Sequence, residues 1–288
     1  MINDVALSRD RMVVCYADDT SLLDVGRSLD DVSTLMQASM EVAADWFSAN
    51  RFLLNAEKTQ TIVFSLKNGK QHDCPPVKLL GFMLDRRLSW EEHIQGVCCR
   101  LSRILFLLKG LKRCVPAAYL RMCYFAFFQS VMAYGITLWG GSTHVRRVLL
   151  LQKRALRILC NAEHLAHCRP LFIQEGLLTV YGLYIFRSAV NAFGDLEVQP
   201  VRGDSHEYGT RNRLRLDLPY CRLGRTQSSV VYLPGKIINK LPISVRSLPV
   251  AALKRRLKHF LQENPFYSLN EFFECDSALE SFNSEGNC

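Results

Sequence analysis

Two adjacent carboxylates, Asp18 and Asp19, stand between two apolar runs: Met12-Val13-Val14-Cys15 leads in through Tyr16-Ala17, and Thr20-Ser21-Leu22-Leu23 leads out. Like charges at a turn beside a core are unfavourable unless a cation neutralises them. Hard oxygen donors favour magnesium, which takes one or two carboxylates and completes its octahedron with water and phosphate oxygens. Neighbouring side chains on a strand point to opposite sides, so the metal is expected mainly on Asp18, with Asp19 adjusting the local field. Such a site suits phosphoryl transfer. Taken alone, Ala-Asp-Asp is also compatible with a polar hairpin turn that binds nothing.

A second chemistry lies in the charge distribution. Residues 93–262 carry 26 Lys/Arg against 7 Asp/Glu, a net +19, between a first segment (1–92) of net −4 and a last one (263–288) of net −6; the whole chain is +9. Cations interleaved with aromatics and short of acidic partners predict a surface that neutralises nucleic-acid phosphates, the alternative being a solvated charged face. Arg100 and Arg103, followed by Lys109, Lys112 and Arg113, flank one helical run, and Arg146, Arg147, Lys153, Arg154 and Arg157 flank another. Cys160, His164, His167 and Cys168 offer four zinc donors, but a Cys-x3-His-x2-His-Cys spacing is unlike structural zinc sites, and zinc is disfavoured. Cys98-Cys99 reads as small apolar helix residues.

The elements that must position these groups can be read from periodicity. Ser28 followed by Asp30 and Asp31 marks a helix start, with Leu29, Val32, Met36, Met40, Ala43 and Phe47 on one face and Asn50 as the stop; this helix should lie against the strands. Thr61-Ile62-Val63-Phe64 predicts a strand, Asn68-Gly69 a turn, and Val77-Lys78-Leu79-Leu80 a further extended segment. From His93 to about Leu165 the pattern is helical. Met122 to Val145 contains no Asp, Glu, Lys or Arg; its Gln, Ser, Gly and His residues favour a buried helix over a membrane span. Between about 194 and 229 periodicity fails, and Thr210-Arg211-Asn212-Arg213-Leu214-Arg215 reads as a basic loop or linker. Pro234-Gly235-Lys236 and Leu241-Pro242 predict breaks, Pro249 to Leu261 a basic amphipathic helix, and 263–288 an acidic, disordered tail. A chain of 288 residues, 49% hydrophobic, can bury a sizeable core in one to three domains. Its eleven scattered cysteines and the lack of a basic-then-apolar leader predict a reducing nuclear or cytoplasmic setting.

Several stretches, in order, carry a resemblance: Tyr16-Ala17-Asp18-Asp19-Thr20; Trp46-Phe47-Ser48-Ala49-Asn50 with Leu54-Asn55-Ala56-Glu57-Lys58-Thr59; Leu79-Leu80-Gly81-Phe82-Met83-Leu84-Asp85; Leu88-Ser89-Trp90 with His93-Ile94; the run from Ser130 to Gly140; and Cys168-Arg169-Pro170-Leu171-Phe172 with Leu177-Leu178-Thr179-Val180. Over about the first 260 residues the chain resembles the reverse transcriptases of non-LTR retrotransposons, the LINE and jockey-like branch.

The resemblance implies an α+β fold. Residues 1–92 would be a partial polymerase palm of antiparallel strands with a packed helix, 93–165 a mostly helical thumb, and 166–262 a basic C-terminal region. It implies Asp18 and Asp19 as catalytic metal ligands for Mg2+. Lys58 would stand near the leaving pyrophosphate, or else close a surface turn. Leu80, Gly81 and Phe82 would support the primer end. Implied partners are an RNA template, a DNA primer or their hybrid, and deoxynucleotides only once the palm is complete; no membrane is implied, and the oligomeric state stays open. Two-metal polymerases draw carboxylates from two strands, and only one such strand is recognised here. Ile2-Asn3-Asp4 resembles the stretch just before the hairpin. The expectation is therefore a chain that starts inside the palm, lacks the first catalytic aspartate and fingers, and does not polymerise alone. A nucleic-acid-binding module without catalysis is the alternative.

Overall fold

The computed structural model describes residues 12–65, 75–194, 201–205, 213, 215–242 and 248–275. Ile2-Asn3-Asp4, Asn68-Gly69, most of the stretch 210–215 and the acidic residues beyond 275 lie outside them. The chain divides into two compact units, Met1–Thr61 and Ile62–Cys288.

In the first unit, β1 (Met12–Tyr16) and β2 (Asp19–Leu23) form an antiparallel hairpin closed by the Tyr16–Asp19 pair. Helix α1 (Leu29–Ala49) packs on β2. Its start is a capping box: the Asp31 amide donates to Ser28 Oγ and the Ser28 amide to Asp31 Oδ2, each at 3.1 Å. Its end is the expected Asn50, followed by Arg51 in the left-handed region (φ 61°). The Phe52 amide reaches back to the Phe47 carbonyl and the Arg51 amide to that of Ser48, while the Phe47 and Phe52 rings meet edge to face. This is a Schellman ending with arginine where glycine is usual. The strand expected at Thr61–Phe64 does not form; β-branched residues favour a sheet only where a partner strand exists, and the described residues bring none beside it.

In the second unit, β3 (Val77–Leu79) and β4 (Phe82–Leu84) make another hairpin. Helix α2 (Glu91–Leu111) buries Ile94, Val97, Leu101 and Leu108, a stripe at helical spacing. The uncharged run buries one face and leaves Met122, Phe125, Phe127 and Tyr134 exposed, and it is not one helix. It is split into α3 (Ala117–Cys123), a π turn (Tyr124–Gln129), α4 (Ser130–Ala133) and α5 (Ile136–Trp139), broken where Tyr134 is extended and Gly135 left-handed. Tyr124, Phe128, Met132, Ile136 and Trp139 nonetheless all enter the core. Among the described residues no helix is long and apolar enough to cross a membrane.

Helix α6 (Arg146–Leu159) packs against α2, and α7 (Cys168–Glu175) against α6. Helix α8 (Val180–Gly194) is apolar on nearly every side because it is surrounded, by α5, α6, α11 (Tyr232–Lys240) and α12 (Val250–Glu263). Short helices α9 (Arg202–Ser205) and α10 (Gly224–Gln227) lie between α8 and α11. The polar centre of this core is Gln152, fully buried: Nε2 donates to the Leu178 carbonyl (2.8 Å) and Tyr124 Oη (3.1 Å), and Oε1 accepts from the Val180 amide (2.8 Å). Every hydrogen-bonding group it brings inside is thereby used.

Three expectations are corrected. Pro234-Gly235 does not break the chain but lies in the first turn of α11, where the amide that proline lacks has no helical acceptor. Gly235 belongs there for room, since a Cβ would come within 2.5 Å of Leu218. The proposed linker region is tied down at its C-terminal side: Leu216 is buried, and its amide and carbonyl both bond the Asn239 side chain. The acidic tail is ordered at its start, where α13 (Leu269–Glu274) follows buried Phe266 and itself buries Phe272. Its charge hid its aromatics, Phe266 and Phe272, whose burial orders the segment.

Candidate functional site

Three sets of residues could carry function. The first is the tip of the β1–β2 hairpin. A two-residue loop, Ala17-Asp18, joins the strands, with Ala17 at φ 54°. For a residue with a Cβ this conformation costs about 1 kcal/mol, and such local strain accumulates at functional turns. Asp18 and Asp19 are exposed, and among the described residues neither carboxylate has a hydrogen bond or ion pair. Two hard-oxygen donors without a partner among the described residues are of the kind magnesium takes. Among the described residues no group of three His, Cys, Asp or Glu side chains converges. Lys58 is exposed in a turn pinned by Asn55, whose Oδ1 accepts the Lys58 amide at 3.2 Å while its carbonyl accepts the Thr59 hydroxyl at 2.9 Å. On the exposed face of β1 stand Met12, Val14 and Tyr16.

The second set is the β3–β4 hairpin. Its tip, Leu80-Gly81, has both φ angles positive (47° and 83°), a geometry that glycine accepts and leucine does not. Leu80 is held there from outside the hairpin: its carbonyl accepts the Tyr134 hydroxyl at 2.7 Å, and the Tyr134 ring stacks on Phe82 at 5.0 Å and 10°. Gly135 (φ 54°) lets the ring approach, because a Cβ there would fall 2.2 Å from Phe82. Behind Phe82 sit Trp90 and His93, and His93 in turn meets Trp139, whose indole donates to the Tyr134 carbonyl (3.0 Å). His93 is buried; Nδ1 accepts the Met83 amide at 3.4 Å and Nε2 has no partner among the described residues. Burial, with Arg100 nearby, lowers its pKa from 6.5 to about 4, so it is neutral. At the far end, burial pushes the Asp85 carboxyl up, but hydrogen bonds from the backbones of Ser89, Trp90 and Arg87 and from the Ser89 hydroxyl bring its pKa below 3.8. The stretch from Gly81 to His93 and the distant one around Gly135 thus form one buttress that fixes the tip Leu80-Gly81-Phe82.

The third set is the basic surface of α2 and α6. The helices meet where Arg147 bonds Gln95. Arg100, Arg103, Arg146 and Arg154 are exposed and make no hydrogen bond or ion pair among the described residues. Lys153 and Arg157 are half-buried and committed elsewhere. The Lys153 ammonium lies 3.5 Å from the Tyr267 ring centroid, its pKa lowered by burial, and Arg157 donates to the Ala166 carbonyl at 3.0 Å. Arg169 also covers Tyr267 and pairs with Glu271. The four candidate zinc donors do not form a metal-binding group: the Cys160 thiol faces Glu175, 3.8 Å away, and buried Cys168 faces backbone carbonyls of Lys153 and Ala166. Sequence reasoning missed Tyr134, Gly135, Gln152 and Tyr267 as positioning groups. Only the Tyr134-Gly135 pair left a trace, as part of a familiar run.

The relatives that the chain's sequence matches are RNA-directed DNA polymerases of mobile elements. Three from Drosophila melanogaster match. These are the "RNA-directed DNA polymerase from mobile element jockey", 25% identical over 177 residues and 53% of this chain; the "Probable RNA-directed DNA polymerase from transposon BS", 24% identical over 60% of the chain; and the corresponding X-element protein, 24% identical over 62%. The chain spans 18–21% of these relatives' lengths. No protein-family model and no solved structure matches it.

Proposed function

We propose that the chain is the palm hairpin, thumb and following region of a non-LTR retrotransposon reverse transcriptase, and that it takes part in RNA-templated DNA synthesis. The observation that carries this reading is the Asp18-Asp19 tip, two exposed, unpaired carboxylates on a strained two-residue turn. Asp18, with Asp19 beside it, would hold magnesium, which supplies charge neutralisation at the phosphates. Lys58 would face the leaving pyrophosphate. The Leu80-Gly81-Phe82 tip would support the primer end, and Arg100 and Arg103 of α2 with Arg146, Arg147 and Arg154 of α6 would follow the phosphates of the RNA–DNA hybrid, Lys153 and Arg157 holding α6 in place. Two-metal chemistry needs a further carboxylate from a second strand, which on this reading is supplied by another part of the polymerase.

The test is primer extension and binding on the same purified protein. The expected result is salt-dependent binding to an RNA–DNA hybrid, weakened by joint Arg146→Gln and Arg147→Gln substitution, with no deoxynucleotide incorporation until a polypeptide carrying the second carboxylate is added. That restored activity should disappear with Asp18→Ala while binding persists. Incorporation by the chain alone, abolished by Asp18→Ala, would show the active centre to be complete. Binding indifferent to salt would refute the phosphate-facing surface.

A further inference from the structure

The outermost line of α2 runs Gly96, Cys99, Arg103, Phe106, Gly110, at alternating spacings of three and four residues. It lies half a turn from the buried Ile94–Val97–Leu101–Leu108 stripe. Phe106, in its middle, is 82% exposed. A single exposed apolar residue is ordinary, but the surroundings of this one are not. Arg103 precedes it by three positions and Lys109 follows by three, so both cations flank the ring on the same face. Gly96 and Gly110 leave the ridge open above and below, with nothing within 4 Å of where a Cβ would stand. No aspartate or glutamate occurs between Glu92 and Glu163, so neither α2 beyond its first turn nor the helices up to α6 offer these cations a carboxylate.

An aromatic ring standing proud among cations has the two things an unpaired nucleotide seeks, a π face for the base and positive charge for the flanking phosphates. A duplex keeps its base faces covered by its own stack and offers such a ring nothing but backbone. A protein partner would want a broader apolar patch with fewer uncompensated charges. We propose that the Phe106 ridge of α2 is a binding site for single-stranded nucleic acid, with Phe106 stacking on a base and Arg103 and Lys109 on the neighbouring phosphates. The proposal rests on the nucleic-acid-binding function above and narrows it to an unpaired segment of the strand.

The test is fluorescence anisotropy with labelled single-stranded RNA and DNA and with an RNA–DNA hybrid of equal length, at several salt concentrations, together with sedimentation of the protein. Phe106→Ala should weaken single-strand binding by about tenfold, change hybrid binding less than twofold and leave the salt slope unaltered. Phe106→Trp should restore affinity, and Arg103→Gln should lower the salt slope on single strands. A loss of equal size on both ligands, no loss at all, or a change in oligomeric state on Phe106→Ala would each overturn the proposal. An absence of salt-dependent binding to any of these nucleic acids in the unsubstituted protein would remove the functional reading itself, an outcome distinct from binding that ignores Phe106. Because the residue is exposed, the variants leave the core untouched.

Discussion

His93 is a buried imidazole whose one satisfied nitrogen accepts a hydrogen bond, and a group so placed must stay neutral for its surroundings to hold. Its pKa in the fold is about 4 against 6.5 when free. Between those values the unfolded chain binds the proton and the folded chain does not. Stability is therefore full above pH 6.5 and falls as pH drops toward 4, by up to about 1.4 kcal/mol per pH unit. Denaturant midpoints measured across this window should show that slope, and His93→Gln should flatten it. Asp85 acts in the same direction lower down, since its depressed pKa holds stability that disappears only as pH falls through its folded value. At this scale the sequence was partly legible. Asp18 and Asp19 mark the turn of the first hairpin, because two adjacent acids interrupt two apolar runs, whereas Gln152 on α6 looks like any polar-face residue. Its burial depends on a loop, Leu178 to Val180, that no local pattern links to it.

Among elements, the β3–β4 hairpin is the one whose shape is imposed by something else. Leu80 is unfavourable at its own φ, and the Tyr134 hydroxyl and ring keep it there. Tyr134→Phe should retain the stack and lose one hydrogen bond, about 1 kcal/mol, seen as faster amide exchange confined to Val77–Leu84. Gly135→Ala should do more, because the added methyl meets Phe82 and the positive φ is strained as well; exchange there should spread into the start of α2. Unchanged exchange in both variants would mean the hairpin sets its own conformation. The first hairpin and the long helices were readable from apolar runs, capping residues and helical spacing, whereas of the second hairpin the pattern gave only an extended segment at Val77–Leu80. The π turn and the break at Tyr134 were not, since a continuous apolar run carries no mark of where its helix changes pitch. Nor was the placement of Pro234, which ends a helix or begins one according to which turn it occupies.

For the molecule as a whole, charge proved a weaker guide than aromatic content at the C-terminal end. Phe266 and Phe272 are core residues, Thr179 Oγ1 donates to the Phe266 carbonyl at 2.7 Å, and Tyr267 lies under Lys153 and Arg169. Ending the chain at Glu263 should therefore lower the thermal midpoint by several degrees or more. It should also uncover Lys153 and Arg169, so that hybrid binding, measured below the new midpoint, becomes steeper in salt. A truncated chain that melts as before would place this segment outside the cooperative core. The division of charge into acidic, basic and acidic segments set apart the stretch that holds α2 and α6, where no acid follows Glu92 until Glu163. It could not show that the last segment is bolted to the middle one.

Both hairpins carry a side chain at a tip position that glycine would occupy more comfortably, Ala17 in one and Leu80 in the other. A laboratory selection for heat resistance or yield would thus be drawn to Ala17→Gly and Leu80→Asn, each relieving about 1 kcal/mol. It would gain robustness by loosening the two tips proposed to meet metal and primer, so variants improved by such a selection should be checked for activity before they are adopted as stand-ins for the native protein.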